Sequence, residues 1–318
     1  MLGLKTFSCF VSDTFIECRV NELWLLMVCS LAKMEQVGEV KTVQQDVASE
    51  SDFSVEVVVH DGHGDLQVTV GAQRETKTHP KKFRVCSRAL SRSSPVFERM
   101  LYGSLAESNR KLSGSWTIDL PEDDPSAFEL WYLVSHGHFR QIPTELSLDE
   151  LFNLTALTHY YDTTHSLSPW SAQWAASLPP TPAEDEVGLH KLLWINLELN
   201  RKSSAASTAR NIIQESRGIC CESELQEQLS SVPMSDTISR LHDIRLQTIS
   251  AMLRLFTQMS NILTVVDEKP RWCRHASYMG PHRCESMILG SIVFCLTRAG
   301  LWPIPPAEDV SESVLGLF

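Results

Sequence analysis

Apolar and polar side chains alternate with a period of two in three short stretches. Phe53, Val55, Val57 and Val59 form the first, Leu66, Val68 and Val70 the second, and Phe83 with Val85 the third. A strand turns successive side chains to opposite faces, so each stretch predicts a half-buried strand. Asp61-Gly62-His63-Gly64 supplies turn residues between the first two, and the second is predicted to end at Gly71. Ala72 to Lys82 reads as a polar loop, and Thr117 to Leu120 as a further short strand.

Elsewhere the period is helical. Leu90, Val96, Phe97, Met100 and Leu101 suit helical turns, with Ser93 or Ser94 as N-cap and Pro95 at the first helical position. Asp124-Pro125 repeats that signal before Phe128, Trp131, Tyr132 and Val134, and His136-Gly137-His138 reads as the closing cap of that helix. Leu148, Leu151, Leu154 and Leu157 mark another buried face ahead of Tyr160-Tyr161. Further on come Leu189–Leu199, then Ser235–Val265, then Cys284–Ala299, the last stopped by Gly300 and Pro303. In the longest of these, Ile238, Leu241, Ile249, Met252, Phe256, Met259 and Leu263 are expected to share one stripe, with Ser235 as cap.

Strands and helices mix early and helices alone follow, which predicts an α+β unit with a small mixed sheet flanked by helices, then a mainly α-helical C-terminal region. The expected divisions are a tail or N-terminal extension at 1–52, the α+β unit at 53–166, a Pro-rich linker at 167–186 centred on SLPPTPAEDE, and the helical region at 187–318. Leu23 to Ala32 is apolar but spans only part of a bilayer, and acids precede it. Residues 1 to 33 are therefore read as an extra helix or a start-site artefact, and no membrane is expected.

A chain of 318 residues that is 43% hydrophobic and 21% charged has the composition of a globular protein. Its formal net charge of -11 makes nucleic acid a poor partner, and the basic clusters Lys77–Arg84 and Lys269–Arg274 are short enough to be solvated faces. The nine cysteines are odd in number and irregular in spacing, which points to a reducing compartment, cytoplasmic or nuclear. No nucleophile elbow, P-loop or dinucleotide fingerprint is present in the sequence, so no cofactor and no catalytic residue is expected.

From Gly64 to about Trp174 the chain resembles the BTB/POZ domain, most like its fungal branch. The resemblance rests on Gly64-Asp65-Leu66-Gln67-Val68-Thr69-Val70-Gly71, Phe83 to Leu90, Ser94-Pro95-Val96-Phe97, Ile118 to Pro125 with its Leu-Pro-Glu-Asp-Asp-Pro run, and the helix ending Tyr160-Tyr161-Asp162. It implies a non-enzymatic interaction protein that pairs with itself or with a protein partner. More specifically, it implies a substrate adaptor docking the cullin scaffold of a ubiquitin ligase. Phe97, Met100, Leu101, Leu105 and Glu107 match the family's helix and hydrophobic-x-Glu element, and so become candidate partner-binding residues. Phe97 and Met100, three apart, equally suit packing into the domain's own core. Asp65 matches the acid of the family's dimer pocket, although it could instead close the Asp61–Gly64 turn, and Phe83-Arg84-Val85 departs from the family's basic segment. A regulatory scaffold in the nucleus, such as a transcriptional co-regulator, is the alternative.

Cys273, His275, His282 and Cys284 pair up symmetrically and contain the residue types zinc takes in tetrahedral sets. Their one-residue gaps match no familiar zinc spacing, and arginines crowd them, so no metal is the favoured expectation.

Overall fold

The computed structural model describes residues 57–73, 79–104, 106–108, 116–178, 186–217, 225, 227, 229–264, 280 and 282–317. The expectations for residues 1–52, for Phe53 and Val55, for linker positions 179–185, for Lys269–Arg274, for Cys273 and His275, and for Leu105 lie outside them.

Four strands form one mixed sheet: β1 (Val57–Val59), β2 (Leu66–Val70), β3 (Lys81–Val85) and β4 (Trp116–Leu120), in the order β1-β3-β2-β4. β2 runs antiparallel to β3, while β1 with β3 and β2 with β4 are parallel. The alternation of Leu66, Val68 and Val70 against Phe83 and Val85 sets the core face, and all five are buried. The β1 expectation needs correcting, because Val57 and Val59 face out and Val58 packs on the core. Three consecutive valines leave the buried face undetermined by pattern alone, and the register Val58↔Phe83 decides it. Gly64 is required before β2, since a Cβ there would lie 2.6 Å from the Val85 carbonyl oxygen.

Two short helices follow the sheet's first three strands: α1 (Ser87–Ser93) and α2 (Pro95–Tyr102). Ser94 separates them because a residue before proline is pushed to extended geometry, here φ -139 and ψ 119. Its hydroxyl accepts from the Phe97 N–H and donates to the Tyr161 carbonyl at 2.6 Å. α3 (Pro125–Ser135) begins at Asp124, whose carboxylate accepts from the Ser126 and Ala127 N–H groups. It ends as expected on Gly137 at φ 77, where the Gly137 and His138 N–H groups close on Val134 and Leu133.

α4 (Leu148–Tyr160) starts with a Ser147–Glu150 capping box. α5 (Ser168–Ser177), α6 (Glu186–Glu198) and α7 (Lys202–Glu215) come next, then the long α8 (Ser235–Thr264) and α9 (Arg283–Arg298). The packing runs as a relay from the sheet outward: α3 on β3, α4 on α3, α6 on α4, α7 on α6, α8 on α7 and α9 on α8. The expected linker at 167–186 is corrected in its first part. Leu167 and Trp174 are wholly buried, and the indole N–H of Trp174 donates to the Pro143 carbonyl at 2.8 Å. One hydrophobic core therefore continues from Leu66 to Leu241. A smaller cluster of Ile249, Leu253, Ala307, Val310 and Val314 holds the C-terminal segment. No helix among the described residues is long and apolar enough to cross a membrane.

Candidate interaction surface

The matched motif divides between core and surface. Phe97 is 0% exposed, stacked at 4.8 Å on Tyr161 and 5.4 Å on Trp131, and Leu101 is equally enclosed. Neither can touch a partner in this fold, which corrects their assignment as contact residues. The pre-proline Ser94 turns α2 so that the Phe97–Leu101 face meets α3 and the end of α4, and burial of two large apolar side chains drives that orientation. Met100 is half-buried against the same core. Glu107 is exposed on a single 3-10 turn, Ala106–Ser108, and its carbonyl accepts from the Trp116 indole N–H at 2.8 Å.

The structure adds Tyr102, the last residue of α2. It is 44% exposed, yet its hydroxyl bonds to Ser87 Oγ at 2.7 Å and its ring meets Trp116 edge-on with centroids 6.0 Å apart. Ser87 Oγ donates to Asp65 Oδ2 at 2.7 Å, so its lone pair receives the tyrosine proton. Asp65 Oδ1 also accepts from the Ser87 N–H at 2.9 Å, placing a carboxylate at the first turn of α1. Asp65 thus braces α1 and Tyr102. The loop is closed instead by Asp61, whose carboxylate takes the His63 N–H and whose carbonyl takes the Gly64 N–H. An aromatic residue ahead of Gly103 at a helix end was the available signal for Tyr102. Its partner Ser87 is 15 positions away, so the brace could not be read locally.

Two other clusters lie away from this motif. At the β1 end of the sheet, His60 packs on Phe83 and Tyr132, with His136 and His138 each 6.2 Å away by ring centroid. His136 donates from Nδ1 to the Tyr132 carbonyl and accepts at Nε2 from the Cys86 N–H, which fixes it as a neutral tautomer. Burial holds its pKa below the ordinary histidine value. Burial, reinforced by His136, pushes His60 down to about 4. These rings tie β1, α1 and α3 together. In the C-terminal region, Leu253, Arg254, Ser260, Asn261, Trp302 and Pro305 line an open cleft of about 520 Å³.

His282 hydrogen-bonds Glu285 through Nδ1, and no group of three or more histidine, cysteine or acidic side chains among the described residues could hold a metal ion. No protein-family model matches the chain, and no curated protein matches it.

Proposed function

We propose that this chain is a non-catalytic protein-interaction module of BTB/POZ type, whose contact surface is the end of α2 and the turn after it. Its specific form is an adaptor that presents a substrate to a cullin scaffold. The observation that carries the reading is Tyr102, a half-exposed aromatic side chain held in one orientation by Ser87, Asp65 and Trp116. A pre-positioned tyrosine with an acid nearby has the composition of an interface anchor with a polar rim. Two features support the family assignment. The matched segments converge on one core, and the buried half of the motif explains why a helix of that pattern sits where it does.

Pull-down of a cullin by the full chain tests this. Glu107→Lys reverses an exposed charge and should reduce capture about 10-fold with an unchanged melting temperature, and Tyr102→Ala should do so more strongly. Capture unaffected by either substitution, or no capture by the wild type, refutes the adaptor form.

A further inference from the structure

Several large apolar side chains of α8 and α9 lie outside. On α8, Leu255 is 65% exposed, and Met259 and Ile262 follow it on the same face at spacings of four and three residues. On α9, Met287 at 62% and Phe294 at 61% are seven residues apart, with Ile288 beside them. The two helices pack against each other. Four-and-three spacing is the seam pattern by which one helix receives the side chains of another. Of the expected stripe, Ile238, Leu241, Ile249 and Leu263 are buried and Met252 packs on the smaller core, while Phe256 and Met259 face outward. The buried positions are Ile238, Leu241, Arg245, Ile249, Leu253, Ser260 and Leu263.

We propose that this face pairs with the same face of a second copy of the chain, giving a two-fold dimer with four helices at its centre. Two properties select a second copy. The first is area. The exposed fractions of these six side chains and Phe256, on two helices that pack together, amount to roughly 700 Å², near the about 800 Å² each partner buries in a stable pair.

The second is charge. No charged residue occurs from Leu255 to Thr264 or from Ser286 to Thr297. Charge reaches this face only at its margin, where the Arg298 guanidinium lies 5.8 Å from the Phe294 ring centroid, so self-complementary shape rather than electrostatic complementarity selects the partner. Copies carrying a net charge of -11 repel elsewhere and can meet at lower cost along stretches that hold no acid. The pairing uses neither Tyr102 nor Glu107 and does not depend on the adaptor reading.

The test is the mass of the full chain by light scattering and sedimentation across the micromolar range. The wild type should run at twice the monomer mass. Leu255→Glu combined with Phe294→Glu should weaken association about 100-fold or more, leaving monomer with an unchanged helical spectrum, because each copy would bring two carboxylates into a seam that is otherwise apolar. Phe294→Leu keeps the face apolar and should keep the dimer, as should Tyr102→Ala and Glu107→Lys. A wild type that stays monomeric overturns the proposal, whatever else covers the face. A glutamate variant that remains dimeric overturns it as well, by placing the pairing elsewhere.

Discussion

Around the sheet, Phe97, Trp131 and Tyr161 stack and Phe128 meets each of them edge-on, with ring centroids 4.8 to 6.5 Å apart. Around α8, the second cluster is Ile249, Leu253, Ala307, Val310 and Val314, with no aromatic ring among them. Among the described residues around α8 and α9, the rings of Phe256, Phe294 and Trp302 are on the surface. Both regions are folded from ordinary apolar sequence, yet one closes over its bulkiest side chains and the other turns them outward. The sheet region needs nothing further to bury its core. The helical region reaches a comparable burial only against another surface, as the proposed pairing provides.

The largest expected effect tests this contrast directly. Phe97→Ala removes a ring packed on Trp131 and Tyr161 and should cost about 3–5 kcal/mol in denaturant unfolding. Phe294→Ala, measured at dilutions that separate the copies, should cost less than about 0.5 kcal/mol. Similar losses for the two would mean that α9 is packed as tightly as α2, and the contrast would be gone.

The next effect concerns pH and belongs to the sheet region. His60 is buried with its Nε2 unpartnered, facing His136 and His138, with Glu129 and Asp61 as the nearest acids to the cluster. Its pKa falls from 6.5 in the unfolded chain to about 4 in the folded one, so protons bind the unfolded chain more readily. The stability from keeping His60 neutral is complete above pH 6.5 and is lost as pH falls toward 4, a change of about 3 kcal/mol. His136, lowered in the same direction, adds to it. His60→Phe should flatten the profile between these limits. A wild-type stability that is level from neutral pH to 4 would show that His60 is reached by solvent.

These particulars also show what the chain discloses before folding. The strand at Leu66–Val70 and the starts of α2 and α3 were legible, because alternation, a capping Ser94 or Asp124, and a proline at the first helical position are local signals. The parallel pairing of β1 with β3 was not, since it joins residues about 25 positions apart with nothing local to announce it. α1 was missed because its Cys86 cap lacks a side-chain bond and its brace comes from Asp65 on the loop before β2. On α8, hydrophobicity located Ile238, Leu241, Ile249 and Leu263 on the buried side but not Arg245 and Ser260, which occupy inward positions, and it placed Phe256 and Met259 there although they face out. For the candidate site, the motif pointed to α2 and Glu107 but could not say that Phe97 and Leu101 turn inward and Tyr102 outward. That depends on which face of α2 meets α3.

Arg245 is where the two regions can be separated by experiment. It is almost completely buried on α8, between Leu241, which belongs to the main core, and Ile249, which belongs to the smaller one. Its Nε donates to the Ser216 carbonyl at 3.0 Å, and Nη2 donates to Val310 at 3.3 Å and Glu312 at 3.0 Å. Burial lowers its pKa, and Glu186 acts in the opposite sense. Arg245→Met keeps the aliphatic stem and leaves three carbonyls without this donor, an expected loss of about 2 kcal/mol. Arg245→Lys should recover only part of it, since one ammonium cannot match the fork that reaches three oxygens. Hydrogen exchange then locates the loss. Faster exchange in the 3-10 turn Ala307–Asp309 and in the residues after it, with β2 and β3 unchanged, would mean the helical region opens as its own unit. Equal acceleration in β2 and β3 would mean the relay of helices makes both cores one cooperative structure, and the difference between the regions would then be one of surface alone.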